Sequence, residues 1–406
     1  MAGHIDVHFH ALPPAYKAAV KAHGGDPSGF PEPDWSPEAA ITSMEAVGAS
    51  LGIISISSPG VPITGAGEEG RKLARELNIY LGGLVTTTEA PFVGRFGFFG
   101  VLPDWQDLEG TCAEIDFLFS EQKLCNGVGI YTTYGSKLPG HESFKPIWQK
   151  LQSYGALVFL HPTSSDFQPK FIGGFLPQPI VDYPLATTRA AVDLVVTGTV
   201  RSCPDVDIIL SHAGGTLPFI GARAIGALTL PHLAAQAGAT DKEAAADFAS
   251  FYYDTAVSTS AVQLNGLVDF LESLGGDQSH ILFGSDFPYA PPRNIKAMLG
   301  SYNNFVASSR PASESIRPEN LRSNGIALLK KHSSKQDFGF GSLQFSFDID
   351  YNETGFMKST AYGQMVVTNA DRQGIDKAVE PENQKWATSI ACINDDGFDV
   401  ASFLIV

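Results

Sequence analysis

HIDVHFH, at residues 4–10, is the first of eight short apolar runs that recur along the N-terminal 290 residues. The others are LGIISIS (51–57), FGFFGVLP (96–103), GVGIYT (127–132), ALVFLHP (156–162), VDIILSHA (206–213), FYYDTAV (251–257) and ILFGSDFP (281–288). Most are continuously apolar rather than alternating, the pattern of strands covered on both faces. Helix-like stretches such as GRKLARELNIYLGGLV (70–85), TCAEIDFLFSEQ (111–122) and FKPIWQKLQSYG (144–155) lie between them. Eight strand–helix units predict an α/β fold, a (β/α)8 barrel in preference to an open doubly wound sheet. PENLRSNGIALLKKHSS reads as the last helix, ending near His332, so the barrel domain is expected over 1–332. Residues 333–406 change in texture: LQFSFDIDY (343–351) alternates, and the chain closes on VASFLIV. They are expected to form a β-rich or irregular C-terminal extension, and no residue in them suggests chemistry.

Composition narrows the function. Of 406 residues, 27 are basic and 43 acidic, a net charge of −16. Such a balance argues against a nucleic-acid groove or an anionic membrane surface, both of which need clustered Lys and Arg. Hydrophobic residues make up 44% and charged residues 17%, enough to bury a sizeable core. No apolar run reaches the roughly 18 residues that a membrane helix needs. MAGHIDVHFHALPP has neither a basic start nor an apolar signal core, so secretion by that route is not expected. Cys112, Cys125, Cys203 and Cys392 are scattered without a CxxC pair, as in a reduced cytoplasmic protein with no cysteine metal site.

The chemistry collects at strand ends. His8 and His10, two residues apart, point to the same side of the first strand. His161 ends the fifth run, His212 the sixth, and Asp286 lies in the eighth. Barrel closure brings the C-terminal ends of parallel strands to one face, where active sites sit. Each residue alone has a plain structural explanation: a polar strand end, a core histidine, a turn cap. Five ionisable groups on four strand ends are costly to bury together without an ion or a substrate. Three imidazoles and one carboxylate suit a single divalent ion, zinc first and manganese second. His212 is then either a fourth imidazole ligand or, the favoured reading, a free acid–base group. Ile130 and Tyr131 stand in the fourth strand where a lysine bridging two ions would be needed. GAGEEG (65–70) matches a dinucleotide fingerprint by its letters, but Glu68 and Glu69 would repel a pyrophosphate, so it reads as a loop leading into a helix. Phe30, Trp35, Phe287 and Tyr289 are candidates for an aromatic pocket, although core packing explains them equally well.

Four segments, His8-Phe9-His10, Leu160-His161-Pro162, Ser211-His212-Ala213-Gly214-Gly215 and Gly284-Ser285-Asp286-Phe287-Pro288, together resemble the amidohydrolase-related metal-dependent decarboxylases. SISSPG (55–60), RFGFFGVLP (95–103), ALVFLHPTS (156–164) and LATTRAAVDLVVTGTV (185–200) are similar to fungal 6-methylsalicylate decarboxylases. The resemblance runs from about residue 4 to 330, leaving out the tail. It implies a distorted barrel of the metal-dependent hydrolase type, one zinc-type ion, non-oxidative loss of CO2 from a small aromatic carboxylic acid, and a homodimer or homotetramer. Carried over by position, His8, His10, His161 and Asp286 match the metal ligands and His212 the catalytic histidine. Arg223 falls where relatives place a substrate-carboxylate arginine, which in some of them reaches the neighbouring subunit. The expected reaction is 6-methylsalicylate to 3-methylphenol and CO2, with Asp286 as proton donor and His212 as its partner; a water activated by His212 is the rival route. Two other functions use the same residues. One is a mononuclear hydrolase of a lactone or amide. The other is a non-catalytic barrel whose tail is the interacting part.

Overall fold

The computed structural model describes residues 3–165, 169–290 and 292–333, and beyond them only short strands. Eight parallel strands follow chain order: β1 (His4–Ala11), β2 (Ala49–Ile56), β3 (Phe96–Gly100), β4 (Gly127–Tyr131), β5 (Leu157–His161), β6 (Asp207–Leu210), β7 (Tyr252–Asp254) and β8 (Ile281–Leu282). Each pairs with its neighbour in the order β1 to β8. The segment after β8 returns to β1: Val7 N–H donates to Phe283 O (3.0 Å), Asp286 N–H to His8 O (2.9 Å) and His10 N–H to Phe287 O (2.7 Å). The eight runs thus form a closed (β/α)8 barrel. Its distortion lies in β7 and β8, where regular pairing spans only three and two residues.

The lining of the barrel follows from strand period. Asp6, His8 and His10 share one side of β1, and Val7 and Phe9 the other; all five are buried. Phe159 of β5 stacks on Phe99 of β3 (centroids 5.2 Å) and takes the edge of His8 (5.1 Å), an aromatic floor beneath the imidazoles. Asp6 Oδ1 accepts from the backbone N–H of Ser285 (3.1 Å), tying β1 to the loop that carries Asp286.

Outer helices pack apolar stripes on this sheet. Helix Glu68–Thr86 buries Leu73, Leu77 and Leu81, four residues apart; Glu68 and Glu69 stand in its first turn, so GAGEEG is a loop and helix start. Helix Asp182–Val196 buries Tyr183, Ala186, Ala190 and Leu194. Helix Ala261–Ser273 starts in a capping box between Ser260 and Gln263. The last barrel helix, Pro318–Ser333, ends beside buried His332, whose Nδ1 and Nε2 meet Gly155 O (2.8 Å) and Asp207 Oδ2 (2.7 Å). No helix among the described residues is long and apolar enough to cross a membrane.

Residues 339–406 form a separate compact unit. Its described parts are an antiparallel pair, Asp350–Tyr351 with Met357–Lys358, and a three-stranded sheet of Ala378–Val379, Trp386–Ile393 and Asp399–Ile405. Most of the alternating LQFSFDIDY run lies outside the described residues.

Candidate metal centre

Two strands, β1 and β5, and the loop after β8 meet at one point. The Nε2 atoms of His8 and His10 are 3.1 Å apart. Asp286 Oδ1 lies 3.3 Å from the first and 3.4 Å from the second. His161, the last residue of β5, places its ring 4.7 Å from that of His10 and 5.2 Å from that of His8, between centroids. One donor atom from each of His8, His10, His161 and Asp286 fits within a mutual 4.8 Å. Donors bound at usual lengths to one tetrahedral ion stand about 3.3–3.4 Å from each other, and the Asp286 separations match that spacing. Nδ1 of His161 is buried with no hydrogen-bond partner among the described residues, an orphan that a cation would satisfy. The residues therefore fit a single borderline divalent ion.

Neighbours fix which nitrogens are available. His8 Nδ1 lies 2.9 Å from Asp254 Oδ2. An ionised carboxylate only accepts, so this nitrogen carries the proton and Nε2 faces Asp286. His10 Nδ1 is 2.8 Å from Ser55 Oγ, which likewise turns its Nε2 inward. Burial disfavours a charged His8, yet Asp254 and Asp286 outweigh it and lift the imidazole to about 10. Those carboxylates attract any cation, so a metal ion competes directly with this proton. Burial lowers His10 and drives His161 far below the ordinary imidazole value, leaving both neutral. Burial pushes the Asp286 carboxyl up, but hydrogen bonds from His10 and His8 prevail and hold it well below the carboxylate range.

His212 follows β6 in a short turn, its ring centroid 4.7 Å from that of His8. Its Nδ1 donates to Ala256 O (3.0 Å), leaving Nε2 as an acceptor. Burial, then the nearby His8, lower its pKa. Four of the five described non-glycine residues at positive φ belong to this site: His212 (57°), Ala213 (55°), Val257 (51°) and Asp286 (63°). Such backbone is costly, most of all for β-branched Val257, and persists where its surroundings impose it. Here Asp254 Oδ1 supplies part of that constraint, accepting from the N–H of His212 (3.0 Å) and of Ala256 (2.9 Å).

His161, His212 and Asp286 line a cavity of about 350 Å³. Phe30, Ile180, Tyr183, Val257, Tyr289 and Met298 form its apolar walls, with Asp26, Ser258 and Gln263 among its polar groups. Of the four aromatics singled out in the sequence, Phe30 and Tyr289 are in this wall. Phe287 instead stacks on Phe9 (5.1 Å), and Trp35 packs against Tyr80 (6.4 Å). Arg223 is exposed on helix Leu217–Ala227 and does not line the cavity. Sequence reasoning missed Asp254. Its one local signal is its place as the last residue of β7, the same kind of strand end that carries His161.

The sequence pattern of the amidohydrolase family matches residues 5–330, nearly the whole of the barrel. A decarboxylase of Penicillium terrestre is 39% identical over 320 residues, covering 77% of this chain and 92% of that protein. The 6-methylsalicylic acid decarboxylase of Penicillium expansum is 37% identical over 289 residues, 71% of this chain and 85% of that one. A solved dihydroxybenzoic acid decarboxylase from a Polaromonas species, with bound manganese and the inhibitor 2-nitroresorcinol, superposes with a TM-score of 0.61 at 20% identity, covering 81% of this chain and 97% of that chain. The four motif segments and the strand ends that carry them thus have one origin: the chain belongs to the amidohydrolase family, in its branch of metal-dependent decarboxylases.

Proposed function

We propose that the chain removes CO2 from 6-methylsalicylate, giving 3-methylphenol, with His8, His10, His161 and Asp286 holding one divalent ion, zinc in preference to manganese. The observation that carries this reading is the four-donor cluster opening into a cavity walled by Phe30, Tyr183 and Tyr289, together with similarity to a 6-methylsalicylic acid decarboxylase over most of the chain. When bound, the ion supplies positive charge that neutralises the acid and lowers the pKa of the ortho hydroxyl.

The chain's residues then handle the proton. Ring carbon loses a carboxylate only when it first gains a proton, and we assign that donation to Asp286. This carboxyl is ionised at rest, so it must take its proton up from the substrate's hydroxyl. Neutral His212, with Nε2 free to accept, relays that proton. The proton passes to the carbon, the bond to the carboxyl group breaks, its electrons return to the ring, and solvent restores the hydroxyl. Apolar walls exclude bulk water from this exchange.

A single ion is consistent with β4, where Tyr131 donates its hydroxyl to Ile56 O (3.1 Å) and no lysine is present. We also propose a homodimer or homotetramer. Arg223 shares its helix with exposed Phe219 and Ile220, and from a second copy it could reach a neighbouring cavity. Beyond Ser333, which ends the last barrel helix, we place the C-terminal extension outside the catalytic barrel, and the free thiols of Cys112, Cys125 and Cys203 favour the cytoplasm. Incubating the metal-loaded protein with 6-methylsalicylate, beside lactone and amide substrates, tests the reaction: evolved CO2 and a product of the mass of 3-methylphenol are expected, and hydrolysis without CO2 would replace this reading with the hydrolase.

A further inference from the structure

An aromatic acid enters this cavity as an anion, yet two aspartates, Asp26 and Asp286, line it, and no lysine or arginine does among the described residues. Apart from the ion, and from the Arg223 that a second copy would bring, this wall can therefore offer the anion only neutral donors. Several hydroxyls are already engaged: Ser58 Oγ donates to Thr163 Oγ1 (2.9 Å) and meets Tyr183 OH (3.1 Å), and the Tyr289 phenol bonds Ser57. Gln263 differs. Its Oε1 accepts from both Ser260 Oγ (2.7 Å) and Ser260 N–H (3.2 Å) in the capping box. Only the oxygen can accept these bonds, so the amide cannot flip, and the NH2 group is left for another partner. Among the described residues Nε2 has none, and Gln263 lines the cavity. Val257, at φ 51°, lies in the connection between β7, which ends at Asp254, and this helix, which starts at Ala261.

We infer that the Gln263 amide donates from Nε2 to the substrate carboxylate, so that it selects aromatic acids over the neutral phenols they become. This rests on the decarboxylase reading. A carboxylate offers about four lone-pair sites, more than one ion occupies, and a donor to a charged acceptor is the stronger kind of hydrogen bond. The contact is kept while the ring carbon is protonated and is lost only once CO2 has formed, so Gln263 serves binding rather than rate and lets the product leave.

Two variants separate this role from the helix cap. Gln263→Glu keeps the cap, because Glu serves a capping box as well as Gln, but removes the donor; Gln263→Leu removes both without adding charge. KM for 6-methylsalicylate should rise about 10- to 100-fold in each, with kcat within about two-fold of the parent. The melting temperature of Gln263→Glu and the inhibition constant for 3-methylphenol should not change. An unaltered KM in Gln263→Glu, or equal weakening of acid and phenol, would overturn the inference. Calorimetric binding of 6-methylsalicylate against 3-methylphenol decides the same question without turnover. A parent protein that binds the acid through Gln263 yet releases no CO2 would therefore sink the decarboxylase reading alone.

Discussion

Asp254 shows how much of the site depends on a side chain outside the donor cluster. One of its oxygens orients His8 and the other fixes the backbone of His212 and Ala256. Asp254→Asn keeps the shape but removes the charge that holds Nδ1–H of His8. Metal affinity should fall about 10- to 100-fold, read by titration of the stripped protein. His212→Ala should retain the ion and lose about 10²- to 10⁴-fold in kcat. Because burial lowers His212, its neutral form persists to more acid pH, and the acid limb of kcat/KM should lie below the ordinary imidazole value of about 6.5. His8, His10 and His161 are legible in the sequence because each lies at or near the end of an apolar run, and closure of the barrel does the rest. Asp254 is not, since its partners sit 246 and 42 residues away and an aspartate after FYY reads as a strand ending in a turn. Arg223 is expected only by resemblance: it is exposed on its helix and does not line this chain's own cavity.

At the scale of the element, the decisive one is the segment after β8. An added Cβ at Gly284 would stand 2.7 Å from the Cβ of His8 and 3.1 Å from that of Ala256. This close approach lets the segment slip in behind His8 and deliver Asp286, and it leaves little room for regular pairing. ILFGSDFP reads as a full strand by its apolar character, while its glycine gives no hint of the neighbour it must clear. Gly284→Ala should cost about 1–3 kcal/mol through overpacking and weaken metal binding, both measurable by unfolding with and without ion. A second element rests on Arg71, which donates from Nε to Asp107 Oδ2 (2.6 Å) and from Nη2 to Oδ1 (2.7 Å). Asp107 also caps the helix Leu108–Asp116. The guanidinium holds this carboxyl below its ordinary value. Its contribution is thus complete above the usual carboxylate pKa of about 3.9 and is lost as pH falls through the lower folded value. Asp107→Asn should be less stable near neutrality, and the difference should shrink in acid.

For the whole molecule, the donors and the cavity walls all lie between residues 8 and 298, within the unit that ends at Phe338. A chain ended there should bind its ion and turn over as the full chain does, measured by CO2 release per bound ion. The acidic tail contributes 11 acidic and 5 basic residues over 335–406, and its loss should alter net charge rather than catalysis. Barrel and donor cluster are legible in the sequence because eight runs repeat one design and five ionisable groups lie in or just after four of them; the tail has no such repeat to read.

The most direct measurement is a metal titration of the chelator-stripped protein with 6-methylsalicylate present, following CO2 release against ions bound. The account predicts no release without ion and a linear rise that breaks at one ion per chain. Full turnover in the stripped protein, or a break at two ions, would contradict it.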